Sequence, residues 1–360
     1  MIKYLQYYIS PITLLFGFFF INQGSLFPTF FFIGFSLFII LGDHFFQKDS
    51  KLFNFNYPFF LNLPIYINLI LLYLFTLNVV YLFSYKAQNN LYPILDHISL
   101  IMILSLFIGI MGTVPGHELI HRKKEKFDQL IGNLLLALSW DCTFAIEHVQ
   151  GHHKNVGFKN DPATARRGDN IYKFVLKAII SEHIDAWRFQ LNNLKKHNQG
   201  IFNYHNKILQ GYLLSVSFCI STYLIGDIYS LAIFLVCSFI AKSFLEVINF
   251  IEHYGLVREK GKAVERKHSW NSNSKISSLY LFNVTRHSSH HEKANLKYWE
   301  LEPYNKNSPM LPYGYLSMLY LAIFMPKKFF KVMEPKLAQW DNKFASLEEI
   351  NIIKNKSITI

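Results

Sequence analysis

Six apolar runs, at roughly 9 to 21, 26 to 41, 63 to 83, 99 to 116, 211 to 226 and 230 to 251, restrict what this chain can fold into more than any other feature. Several approach the ~20 residues with which a helix crosses a ~30 Å hydrocarbon core. The chain is 51% hydrophobic and 17% aromatic, with 35 Phe in 360 residues, which is more apolar surface than one soluble core of this length needs. The expectation is an all-α integral membrane protein with about six transmembrane helices. The first two runs are short enough to form a shallow hairpin instead. The first lacks a small-residue cleavage site and leads directly into the second, so the N-terminus is expected to be retained.

Charge sets the orientation, because short cytoplasmic loops collect Lys and Arg. With a cytoplasmic N-terminus, residues 117 to 210 carry 14 Lys and Arg and residues 251 to 360 carry 17, whereas the outer loops carry only Lys86. The net charge of +12 then reads as this positive-inside bias, with docking of an acidic protein partner as the alternative, and not as nucleic-acid binding. Residues 1–333 read as one membrane-embedded domain and 334–360 as a polar cytoplasmic C-terminal tail. Cys142, Cys219 and Cys237 are scattered without C-x-x-C spacing, which argues against a disulfide framework or an iron–sulfur or zinc knuckle.

Nine of the fifteen histidines fall into four clusters, each beside an apolar segment: His117 and His121; His148, His152 and His153; His253; and His287, His290 and His291. Imidazole, with an unperturbed pKa of about 6.5, is mostly a neutral metal ligand at neutral pH. At about 3.6 residues per turn, His117 and His121 share a helix face, as do His148 with His152 and His287 with His290 and His291. Each cluster is therefore expected to act as one preformed claw. His117-Glu118-Leu119-Ile120-His121 alone would suggest a zinc protease, but a catalytic zinc takes about three protein ligands, and nine histidines suit two metals. His44, His97, His183, His197 and His205 stand alone and read as surface or satisfied core residues.

Four carboxylates are the candidate catalytic groups. Glu118, Glu147 and Glu252 each adjoin a histidine of a cluster, where a carboxylate orients a metal-bound imidazole, ligates directly or forms a salt bridge. Glu246 lies four residues from Lys242 and seven from His253, so it points along the same face of the last apolar run. It reads as half of a structural pair with Lys242, or as a partner to the metal shell through Asn249 or His253. Asp161-Pro162-Ala163-Thr164 reads as a turn or as part of that shell, and Leu311 to Pro326 as an interfacial or re-entrant helix.

The order of these motifs, extended by Asn249-Phe-Ile-Glu252-His253-Tyr254-Gly255-Leu256, His268-Ser-Trp-Asn-Ser-Asn273 and Arg286-His287-Ser-Ser-His290-His291, resembles the integral-membrane alkane 1-monooxygenases from about Pro115 to Met333. Ile240-Ala241-Lys242, Tyr298-Trp-Glu-Leu-Glu-Pro303 and Pro335-Lys-Leu-Ala-Gln-Trp-Asp341 look more like the xylene monooxygenase branch. Ser289 departs from the Asp usual in the alkane enzymes, which leaves substrate and partner open. The resemblance implies two non-haem iron ions and insertion of one atom of O₂ into a terminal methyl C–H bond. It further implies an electron donor, a rubredoxin or ferredoxin with its reductase, and a bacterial inner membrane with the site facing the cytoplasm. No side chain attacks an unactivated methyl alone, and hydrocarbon would enter from membrane lipid. A methyl hydroxylase of alkyl aromatics, a lipid desaturase or hydroxylase, and a non-catalytic metal transporter are the rival readings.

Overall fold

The computed structural model describes residues 2–87, 89, 92–304 and 306–357. Five of its helices are long and apolar enough to cross a membrane: α1 (Lys3–Ile21), α2 (Phe27–Phe45), α3 (Phe59–Tyr85), α4 (Ile94–Ile120) and a 47-residue helix, Lys207–His253. They expose large apolar side chains such as Phe16, Phe19, Phe30, Ile70 and Leu224, a surface that lipid covers. Among the described residues the only β pairing is an isolated bridge between Asn271 and Met310. Between α4 and the 47-residue helix lie α5 (Lys126–Ala137) and α6 (Ile171–Lys196). The long helix is α7, and α8 (Tyr315–Phe324), α9 (Pro326–Lys343) and α10 (Leu347–Ser357) follow it.

A straight helix of α7's length would run about 70 Å, more than twice the hydrocarbon core. It is broken at Gly226 (φ −156°, ψ 35°) and Asp227 (φ 60°, ψ −154°). A Cβ at Gly226 would lie 2.2 Å from Ser230 Oγ and 2.4 Å from Ser84 Cβ, so only glycine fits there. The two halves run antiparallel. Ser215 Oγ donates to Ala137 O at 3.0 Å and Ser238 Oγ to Leu138 O at 2.7 Å, which brings positions on either side of the break to one level. These halves are the two apolar runs separated in the sequence at 226 to 230.

The helices that carry the histidines approach closely. A Cβ at Gly116 would sit 3.1 Å from Gly132 O, and one at Gly132 3.1 Å from Gly116 O, so α4 and α5 meet backbone to backbone. Gln129 Nε2 donates to Leu119 O and Ile120 O, satisfying carbonyls that the end of α4 leaves open. Inside α4, residues Ile108–Thr113 widen into a π-type turn, a local form that concentrates at functional sites.

The boundary expected at residue 333 falls inside α9, and the segment beyond it packs against the domain instead of trailing as a polar tail. Phe329, Met333, Leu337 and Trp340 are buried at spacings that place them on one face, a stripe masked in the sequence by the lysines between them. Trp340 Nε1 donates to Lys267 O at 2.7 Å, and Arg167 grips Asp341 through both nitrogens at 2.8 and 2.5 Å.

Lys242 is buried on the returning half of α7, with Glu246 at 2.6 Å, Glu182 at 2.9 Å and Asp141 at 3.0 Å. One ammonium thus holds three carboxylates from three elements. Removing one partner of a buried ion cluster leaves uncompensated charge, so Lys242→Ala should cost ~3–5 kcal/mol, read as a lowered thermal unfolding midpoint in detergent. An unchanged midpoint would show that the cluster contributes nothing to holding α6 and α7 together.

Candidate metal centre

The nine clustered histidines converge into two groups. His117, His121, His148, His153 and His290 form one, His152, His253, His287 and His291 the other, and within each group the candidate ligand atoms lie within 4.8 Å of one another. Contributions come from the end of α4, from the segment Phe144–Asn155, from the end of α7 and from the short helix His287–Glu292. Nε2–Nε2 separations are 3.1 Å for His117–His121, 3.0 Å for His117–His290 and His148–His153, and 3.1 Å for His153–His290. In the second group they are 3.2 Å for His253–His287 and 3.0 Å for His287–His291.

These spacings test whether a metal fits. Two nitrogens each about 2.1 Å from one ion lie about 3.0 Å apart at a right angle and about 3.4 Å apart at the tetrahedral angle. The observed edges of 3.0 to 3.2 Å fall within the range that nitrogens sharing one cation require. His152 supplies a second test. Its Nδ1 is 3.0 and 3.1 Å from the two Asp161 oxygens, while its buried Nε2 has no protein partner. A ring whose one nitrogen donates to a carboxylate presents the lone pair of the other, the pattern of a metal-bound histidine.

The expectation that each sequence cluster forms one claw is corrected. His148 and His153 join one group while His152 joins the other; His290 belongs with the first pair, and His287 and His291 with the second. Residues His148–His152 form a π-type turn, in which hydrogen bonding from i to i+5 brings residues five apart onto one side. In the α-helical His287–Glu292, residue i+3 lags by about 60° and i+4 leads by about 40°, so His290 and His291 diverge by about 100° and face different groups.

The carboxylates also separate by role. Glu118 accepts from Arg122 Nε and Nη2 at 3.2 and 2.8 Å, and Arg122 also reaches Asp128 at 2.8 Å; this is a buried ion-pair network turned away from the histidines. Glu147 lies against Gly151, where an added Cβ would meet its Oε1 at 2.3 Å. Glu246 is taken by Lys242 and by Asn249 Nδ2 at 3.1 Å. Glu252 touches the site: Oε2 lies 3.2 Å from His287 Nε2, and Oε1 accepts from Tyr315 OH at 2.8 Å. Asp161, in the turn, is the carboxylate that orients a cluster histidine; Thr164 Oγ1 donates to it at 2.5 Å.

His44, His97, His183, His197 and His205 join neither group; His183, for example, meets Tyr212 OH at 2.6 Å. His268 lies inside a motif that carries the family resemblance but outside the four histidine clusters. It is fully buried, accepts Glu265 N–H at Nδ1 and meets Glu349 Oε1 at 2.9 Å through Nε2. Its carbonyl lies 3.4 Å from His253 Nδ1. The following residues brace the centre: Trp270 N–H donates to Glu252 O, and Ser288 Oγ to Ser269 O.

Electrostatics keep most of these rings neutral. Burial, followed by the neighbouring imidazoles, pushes His148, His153, His287 and His291 well below the ordinary value, and burial with His152 takes His290 down to about 3. Burial would lower His152 as well, but the Asp161 carboxylate turns the net shift upward. Neutral rings are the form that ligates.

An apolar cavity runs from between the membrane helices to this centre. Among the residues that line it, Glu252 is the only ionisable one besides the phenols of Tyr280 and Tyr315. Ile39 from α2, Leu106 and Ile110 from α4, Ile248 from α7 and Leu316 from α8 line it. Gly109 and Thr113, at the wide turn of α4, complete one wall.

Residues 96–322 match the family described as "Fatty acid desaturase". Over 248 residues, 68% of this chain and 64% of the relative, the chain is 36% identical to "Alkane 1-monooxygenase 1" of Pseudomonas aeruginosa. Over 264 residues it is 36% identical to "Alkane 1-monooxygenase 2" of Alcanivorax borkumensis, covering 72% and 68%. It is 29% identical over 294 residues to the xylene/toluene monooxygenase hydroxylase component of Pseudomonas putida, covering 80% and 77%. The chain thus spans 64% of the length of the first of these relatives.

The partition of the histidines makes a paired prediction. His290→Ala and His291→Ala alter neighbouring residues but should each remove metal from a different group, leaving about half of the bound metal, while the double variant retains little. Asp161→Asn should weaken metal binding roughly 10- to 100-fold. Metal analysis with X-ray absorption of each variant is the check, and loss of all metal in either single variant would show that the two groups are not separate sites.

Proposed function

This chain belongs to the fatty acid desaturase family, and within it we propose a membrane non-haem di-iron monooxygenase that hydroxylates the terminal methyl of a hydrocarbon, an n-alkane to a 1-alkanol. The overall reaction is RH + O₂ + 2e⁻ + 2H⁺ → ROH + H₂O. The observation that carries the proposal is the apolar cavity ending at Glu252, beside His287 of a nine-histidine centre. Such a cavity can hold a chain without polar groups and present its end to the metals. The relatives named alkane 1-monooxygenase support this substrate class.

His117, His121, His148, His153 and His290 would hold one iron, and His152, His253, His287 and His291 the other. When bound, the iron pair supplies O₂ activation and cleavage of an unactivated C–H bond, chemistry beyond any side chain. The chain's own residues do the rest. Ile39, Ile110, Ile248 and Leu316 take up the hydrocarbon and exclude water, with burial favouring the alkane by ~0.8 kcal/mol per CH₂. Tyr315 OH donates to Glu252 and fixes that carboxylate at the inner end of the cavity. Asp161 holds the proton of His152 at Nδ1, leaving Nε2 free to ligate.

Electrons must come from outside, since the chain carries no flavin or nicotinamide fingerprint and no cysteine cluster. A rubredoxin or ferredoxin with its reductase fits this need, and a cytoplasm-facing basic side in a bacterial inner membrane would steer so acidic a donor to the centre. Glu252, next to His287, is the carboxylate of the original four that we place nearest the chemistry; Glu118, Glu147 and Glu246 support the fold around it.

Membranes carrying the chain with such a donor, supplied with n-alkanes and alkylbenzenes under ¹⁸O₂, should form ¹⁸O-labelled 1-alkanol, and His152→Ala should not. Unlabelled alkene would instead identify a desaturase, and labelled benzylic alcohol without alkanol an alkyl-aromatic hydroxylase. Gly109 offers a second check, because an added Cβ there meets nothing within 4 Å. Gly109→Leu has room in the cavity wall and should shift the product profile towards shorter alkanes; an unchanged profile would place the hydrocarbon elsewhere.

A further inference from the structure

Helix α6 has three faces. Ile171, Phe174, Val175, Ala178, Glu182 and Ala186 are among those buried against the domain. On the far side Tyr172, Leu176, Ile180, Ile184 and Leu191 stand 38 to 60% exposed, a stripe repeating mostly every fourth residue. Counting about 100° per residue, Lys173, Lys177 and Arg188 fall along one edge of that stripe. An apolar stripe bordered by cations on a helix too polar to cross a bilayer is the pattern of a helix lying in the membrane interface.

A polar cavity opens along the cationic edge, between α6 and the loop before it. Lys159, Arg166, Lys173, Lys177 and Arg188 line it with Asp161, Asp169 and Asp185, and Ile184 of the stripe forms part of the same wall. The carboxylates are already engaged. Asp161 holds His152 and Thr164, Asp169 accepts Arg166 N–H at 2.8 Å, and Asp185 pairs with Arg188 at 2.9 Å. Among the described residues, no carboxylate lies within ion-pair distance of Lys159, Lys173 or Lys177 or of the Arg166 guanidinium.

A second element shares this plane. Tyr172 OH donates to Ile323 O at 2.6 Å, near the end of α8, where Phe324 and Met325 are 65 and 51% exposed and are followed by exposed Lys327 and Lys328. The order of exposed apolar residues and then lysines is therefore repeated where the two elements meet.

We infer that the cavity at Lys159, Arg166, Lys173 and Lys177 binds the phosphate-bearing headgroup of an anionic phospholipid whose acyl chains lie along the Tyr172–Ile184 stripe. The apolar stripe beside the cations favours a lipid over a soluble anion, because only a lipid satisfies both surfaces with one molecule. The inference is independent of the reaction catalysed.

The test uses the full-length, metal-loaded chain in nanodiscs of mixed phosphatidylglycerol and phosphatidylcholine, with the lipid retained after detergent extraction quantified by mass spectrometry. Phosphatidylglycerol should be enriched on the parent and on a Lys195→Ala/Lys196→Ala control, whose substitutions lie on the same helix outside the cavity. Arg166→Ala/Lys173→Ala/Lys177→Ala should lose that enrichment, by roughly five-fold for each cation removed. If the triple variant loses its metal and hence its fold, Lys177→Glu at an exposed position carries the test in the same direction. Equal enrichment in parent and variants overturns the inference. So does binding of inorganic phosphate at these residues without lipid preference, or loss of an acidic redox protein's binding while lipid enrichment is unchanged.

Discussion

Everything near the centre of this protein follows from the need to hold nine imidazole nitrogens in two groups at about three ångströms from one another. Lone pairs that close repel unless a cation lies between them, and rings that deeply buried cannot be relieved by water. The protein meets the demand with departures from regular helix. A wide turn in α4 precedes His117, a second one sorts His148, His152 and His153, and the fold-back of α7 at Gly226 brings His253 to the same end. The Gly116–Gly132 contact then lets α4 and α5 meet without side chains between them.

Much of this was legible in the residues. Apolar runs marked the membrane helices, and the histidine clusters marked the centre, because both signals depend on residue type and not on local geometry. The sharing of histidines between the two groups was not legible, since it turns on a π-type turn where the periodicity argument assumes 3.6 residues per turn. For Glu118, of the three readings that adjacency left open the salt bridge is the one observed: one residue along a helix is a rotation of about 100°, and its side chain turns to Arg122. The carboxylate that orients His152 is nine residues further on, brought back by the Asp161–Thr164 turn. The packed stripe of α9 was hidden by lysines on its outer face.

Two kinds of environment meet at Glu252. On one side is a cavity walled by Ile, Leu and Phe; on the other are the histidines, with Tyr315 and the Trp270 loop fixing the carboxylate between them. Charge is otherwise kept out of this region or neutralised within it: Arg122 is bound by Glu118 and Asp128, and Lys242 by three acids. Such pairing leaves Glu252 as the carboxylate that the cavity and the histidines share.

The contact between Glu349 and the His268 loop ties the centre to a helix remote from it in sequence. Glu349 holds both His268 and Lys267, and the residues after them brace Glu252 and the helix carrying His287, His290 and His291. Glu349 lies 81 residues beyond His268, so the brace on the centre is closed by a helix that contributes no histidine to it. What α10 supplies is leverage: one carboxylate there sets the position of the loop on which two elements of the centre rest.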